Sequence, residues 1–121
     1  MSNAITADTG RATRWLPELD RPIYTLSVAS EVLETHPRTL MMYETVGLVV
    51  PSRTATNRRR YSQRDLNKLR SIQFLTRRHG VNLAGVRFLF DLLGTLRKHG
   101  IDPPPPLDEI ETEPPEAAAS A

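Results

Sequence analysis

The chain has no cysteine among its 121 residues. That excludes a disulfide scaffold, a thiol nucleophile and any thiolate metal site, and it fits a reducing, cytoplasmic setting. No stretch approaches 18 consecutive apolar residues, so no membrane span is expected. The first residues, with Asp8 and no long apolar run, do not read as a secretory signal. Histidine is scarce: His36, His79 and His99 stand at expected helix ends without metal-ligand spacing. At a helix C-terminus, His79 and His99 suit the helix dipole better than they suit catalysis. Gly80, Gly85, Gly94 and Gly100 form neither a GxGxxG nor a GxxxxGK phosphate loop. The body of the chain is poor in acids and offers no paired carboxylates for acid–base work. No enzyme activity, metal or cofactor is therefore expected.

What the chain does have is segregated charge. A formal net charge of +2 is the balance of −1 over residues 1–20, +9 over 21–101 and −6 over 102–121. A basic body calls for a polyanionic partner. Residues 1–20 are polar and unpatterned, with Trp15 and Leu16 just before Pro17, and read as a flexible arm. Residues 21–101 read as one small domain. From Pro103 to Pro106 four prolines forbid a helix and favour extended backbone. With Asp108, Glu109, Glu111, Glu113 and Glu116 beyond them, residues 102–121 read as a disordered Pro-rich acidic tail. Such a tail either only solubilises the chain or lies over its basic surface as an autoinhibitor; composition leaves both readings open.

Within the body, Leu26, Val28, Ala29, Val32 and Leu33 recur at helical spacing, with Ser27 placed to cap and an end expected near Thr35. Pro37 suits the first turn of a second helix, from Arg38 to Thr45, which Gly47 stops. Two short helices joined by a tight turn make a helix-turn-helix. Leu48 to Pro51 and Arg59 to Tyr61 flank a polar loop containing Asn57 and suggest a β-hairpin wing, with Pro51 confining its strand to an edge. Ser62-x-x-Asp65 resembles a capping box at the start of a third helix carrying Leu66, Leu69, Ile72 and Leu75. Asn82 can cap a fourth helix with Val86, Leu89, Phe90, Leu93 and Leu96, ending at Gly100. The expected fold is mainly α: a winged helix-turn-helix of four helices and a small hairpin.

Between Arg53 and Arg78 stand nine basic residues and one acid, Asp65. This density suits phosphate contact, since each neutralised phosphate releases condensed counterions. For Arg64, Lys68, Arg70, Arg77 and Arg78 a solvated helix face is an equal alternative. Arg58, Arg59 and Arg60 repel one another beside Tyr61 and are expected to have no acidic neighbour to offset them. The second helix is the expected base-reading element. Arg38 can pair with guanine and Thr39 can touch a thymine methyl. Tyr43 either donates to a phosphate or packs as a partly buried ring against the wing. Met41 and Met42 read as core or flank, with at least one of them buried.

Three stretches together resemble the MerR family of winged-helix transcription regulators. They are Tyr24-Thr25-Leu26-Ser27, then Thr39-Leu40-x-x-Tyr43-Glu44-x-x-Gly47-Leu48-x-x-Pro51-x-Arg53, then Arg59-x-Tyr61-Ser62-x-x-Asp65-Leu66. His36-Pro37-x-Thr39-Leu40 and the run from Gly80 to Val86 are similar to the heat-shock repressor branch called HspR. The resemblance spans residues 23–96. It implies a second helix in the major groove of double-stranded DNA and a wing on the adjacent backbone. On this footing Arg38, Thr39 and Tyr43 fall in the recognition helix, Arg53, Arg58, Arg59, Arg60 and Tyr61 in the wing, and Ser27 at the start of the first helix, where its N–H can meet a phosphate. The sequence departs from the family pattern twice. Met41 stands where an arginine is common, and prolines follow where members continue into a long dimerisation helix, so the usual dimer lacks its helix here.

Three functions share this pattern. A sequence-specific repressor accounts for the arginine cluster. A chaperone-modulator-like adaptor would bind protein, a chaperone or another co-regulator, and would not need that cluster. An excisionase-like architectural protein would bend DNA from adjacent sites.

Overall fold

A computed structural model describes residues 18–110. Most of the N-terminal arm and the last eleven residues of the acidic tail lie outside the described residues. The chain divides after Leu66 into two compact units, and α3 (Gln63–Gln73) runs from the first into the second.

The first unit is built on the helix-turn-helix. β1 (Tyr24–Thr25) leads into α1 (Leu26–Val32), and Thr25 is the N-cap, its Oγ1 accepting a hydrogen bond from the Val28 N–H at 3.1 Å. The cap is thus Thr25 and not Ser27, which lies inside the first turn. Both are good capping types, but Thr25 has the extended backbone (φ −71°, ψ 164°) that a cap requires. α1 ends at Val32, earlier than its apolar spacing suggests, because Glu34 turns into the left-handed region at φ 53°. α2 (Pro37–Thr45) starts with proline in its first turn, and the Nδ1 of His36 caps it by accepting from the Arg38 N–H at 3.0 Å. Gly47, at φ 79°, closes the helix with a turn that other residues adopt only under strain.

The wing is a three-stranded antiparallel sheet in the order β1-β3-β2, with β2 at Ser52–Arg53 and β3 at Arg59–Tyr61. Tyr24 pairs with Tyr61 and Thr25 with Arg60 on one side of β3, while Ser52 pairs with Arg60 and Arg53 with Arg59 on the other. The expected hairpin therefore gains a third strand from the start of α1. Its first strand also begins later than expected: Leu48 and Val49 are buried in irregular backbone, and β2 follows Pro51 as an edge. Asn57, at φ 65°, turns the loop, with the Thr54 hydroxyl accepting from the Arg58 N–H. Ala29, Leu33, Leu40, Tyr43, Leu48, Val49, Tyr61 and Leu66 are the buried apolar residues of this unit. The capping box closes in both directions: Ser62 Oγ accepts from the Asp65 N–H at 3.0 Å, and Asp65 Oδ2 accepts from the Ser62 N–H at 2.9 Å.

In the second unit α3 ends in a π-helical turn, Phe74–Arg78, and Gly80 reverses the chain at φ 64°. α4 (Leu83–Lys98) is capped by Asn82, whose Oδ1 accepts from the Gly85 N–H at 2.8 Å. Leu69, Ile72, Leu75, Val86, Phe90 and Leu93 are buried, as the helical spacing predicts. Beyond Gly100, residues 101–110 take a defined path although their composition places them in the tail. The Arg97 guanidinium donates to the carbonyls of Leu107, Asp108 and Ile110, and Pro103 and Ile110 are buried. Among the described residues no helix is long and apolar enough to cross a membrane.

Candidate nucleic-acid interface

With about 100° between successive residues of an α-helix, α2 sorts its side chains onto distinct faces. Leu40 and Tyr43 point to one side and are buried. Arg38, Met41, Met42 and Thr45 share an arc of about 100° on the opposite side, and all four are exposed. Both methionines are open to solvent, at 37% and 44% exposure, so the expectation that one is buried does not hold. The helical phase explains it: the core positions are already filled by Leu40 and Tyr43.

Glu44 lies at the edge between these faces and reaches the wing. Its carboxylate accepts from Arg59 Nε at 2.6 Å and from Arg53 Nη2 at 2.9 Å. The two arginines sit opposite each other on β3 and β2, so one carboxylate meets both strands. Burial works to raise the Glu44 pKa, but hydrogen bonds from Arg59 and Arg53, together with their positive charges, outweigh it and hold the carboxyl below its ordinary value. The run at Arg58–Arg60 therefore does have an acidic neighbour, brought from α2 by the fold.

The remaining wing residues differ in accessibility. Arg58 is exposed, while Arg60 is half-buried and donates to the Arg59 carbonyl at 3.0 Å. Arg53 also donates to the Asn57 carbonyl at 3.3 Å. An open cleft of about 540 Å³ separates Thr25, Leu26 and Ser27 at the start of α1 from the wing residues Thr56, Asn57, Arg58, Arg59 and Arg60. Hydroxyl-bearing residues and arginines thus line one cleft, a combination suited to a phosphate backbone.

Two tyrosines do not reach this surface. Tyr61 is fully buried, and its hydroxyl has no hydrogen-bond partner among the described residues. Burial, with the nearby Glu44 charge adding to it, pushes its pKa up to about 12, so it stays neutral and belongs to the core. Fully buried, Tyr61 presents no surface to a DNA backbone in this structure, unlike the wing contact expected of it. Tyr43 is 7% exposed, which favours the packed reading of its ring. Thr39 is half-buried, and Ser27 and Arg38 are exposed. Sequence reasoning missed Glu44, Thr56 and Asn57. Glu44 carried two signals: it is the only acid between Glu34 and Asp65, and it stands in the stretch from Thr39 to Arg53 that resembles the family.

A helix-turn-helix bound to a basic three-stranded wing defines a winged-helix regulatory domain. The sequence profile of MerR HTH family regulatory proteins matches residues 24–93, and the chain belongs to that family. It is 47% identical over 73 residues to a Streptomyces coelicolor protein described as heat shock protein HspR, covering 60% of this chain and 48% of the relative. It is 33% identical over 66 residues to the HTH-type transcriptional regulator GlnR of Bacillus anthracis and to GlnR of Bacillus cereus, covering 54% of this chain and 50% of each relative. The chain thus spans about half the length of the curated relatives it matches.

Proposed function

We propose that the chain is a sequence-specific DNA-binding regulator of transcription, acting as a cytoplasmic repressor, with α2 in the major groove and the wing on the adjacent phosphates. One observation carries this reading. The single acid of α2 is turned into two wing arginines, so the exposed face of that helix carries Arg38 and no negative charge. Membership of a family of HTH regulatory proteins, and the relative described as an HTH-type transcriptional regulator, support the regulatory role.

The reading divides labour among the arginines. Arg38 reads a base; Arg58 and Arg60, with Ser27 across the cleft, contact backbone; Arg53 and Arg59 hold the wing against Glu44. Gel-shift titration on a site selected from a randomised duplex library tests it. Arg38→Ala lowers affinity and relaxes base preference at one position. Arg58→Ala weakens binding to all sequences alike and reduces the slope of log affinity against log salt by about one. Failure of the folded protein to bind any duplex at low salt overturns the proposal. A partner protein retained after nuclease treatment, without DNA affinity, would favour the adaptor instead.

A further inference from the structure

The face that α2 offers to the groove is chemically unusual for a base reader. Of Arg38, Met41, Met42 and Thr45, only Arg38 is charged, and the Thr45 hydroxyl already donates to the Met41 carbonyl at 3.0 Å. The two methionines stand midway along the helix at the two edges of this face, on the side that helical phase turns away from buried Leu40 and Tyr43, and both are exposed. An exposed thioether offers no hydrogen-bond donor and only a weak acceptor, so it cannot follow the donor and acceptor pattern of a base edge. It can cover an apolar group. The major groove displays one such group, the C5 methyl of thymine, and burying a methyl against a flexible, polarisable side chain is favourable without strict geometry.

We infer that Met41 and Met42 are specificity-determining residues that read thymine methyl groups, beside one guanine read by Arg38. This rests on the DNA-binding reading above and adds the chemistry of the preferred site: a guanine next to thymines on the strand edges under the methionine pair. The methionines supply discrimination through apolar contact, and the phosphate-facing arginines supply most of the affinity.

The experiment uses the full chain and a duplex selected by it from a randomised library, then resynthesised with deoxyuridine replacing thymidine one position at a time. Deoxyuridine keeps the base-pairing edge and removes only the methyl. At each contacted thymine the wild-type protein loses about three- to fourfold in affinity, the scale of one buried methyl. The variant with both Met41→Ala and Met42→Ala binds the original site more weakly and no longer distinguishes deoxyuridine from thymidine at those positions. Its cooperative thermal unfolding shows that it is folded, since neither side chain belongs to the buried core. If deoxyuridine leaves wild-type affinity unchanged, or penalises the variant equally, the inference fails while site-specific DNA binding stands. If the wild-type protein selects no site at all, the DNA-binding reading fails and this inference with it.

Discussion

Glu44 is the residue on which the geometry of the first unit turns. Its carboxylate is only partly exposed, and its two charge-assisted hydrogen bonds come from residues 9 and 15 positions further along the chain. Hydrogen bonds to charged groups contribute about 1.5–3 kcal/mol where water is mostly excluded. The Arg53 bond, at a more exposed guanidinium, belongs at the low end of such values. Because the folded state holds the Glu44 carboxyl below its ordinary pKa, the clamp is at full strength above the ordinary carboxylate range. It is lost as pH falls through the lowered folded value. Glu44→Gln should therefore reduce stability at pH 7 by about 1–3 kcal/mol and flatten the loss of stability on acidification. Urea unfolding at descending pH measures both; an unchanged acid profile would show that the clamp adds nothing.

The helices were the part of this molecule most legible in the sequence, and the reason is local. Apolar residues at a period of 3.6 and capping side chains three residues from their targets act over one or two turns, as at Asn82 and in the Ser62–Asp65 box. Two-residue strands such as β1 and β2 are too short to show an alternation, so the third strand of the wing had no signature. Nor did the π-helical turn at Phe74–Arg78, which continues the apolar pattern of α3 without a break. Choosing between Thr25 and Ser27 as the cap of α1 needed the backbone angles set by pairing of β1 with β3. Within the candidate interface, Arg38, Arg58 and Ser27 could be read directly as exposed polar positions. The pairing of Arg53 and Arg59 with Glu44 could not, because it depends on how the wing folds back to α2. The capping box carries its own test. Ser62→Ala removes the acceptor for the Asp65 N–H at the start of α3 and should cost about 1 kcal/mol, read as a lower midpoint in urea with the slope unchanged.

At the scale of the whole chain, the formal charge of +2 describes no part of it well. The basic excess lies between residues 21 and 101, but the structure spends some of it internally: Arg53 and Arg59 on Glu44, and Arg64 on Asp20 at 2.8 Å. What remains for a polyanion is smaller than the count and better placed. The segment after α4 is also more than an acidic extension, since Arg97 ties three of its carbonyls down. Arg97→Ala should speed amide hydrogen exchange across residues 107–110 and lower stability by about 1–3 kcal/mol. Unchanged exchange there would show that the buried Pro103 and Ile110 suffice to hold the segment.

The separation of faces on α2 has a consequence for how such a protein can change. Leu40, Tyr43 and Glu44 fasten the helix to its frame, whereas Arg38, Met41, Met42 and Thr45 are free of that duty. On the proposed DNA-binding reading, substitutions confined to these four positions change base preference while the buried anchors of the helix stay in place. New preferred sites on DNA would then come within reach of substitutions outside the buried core.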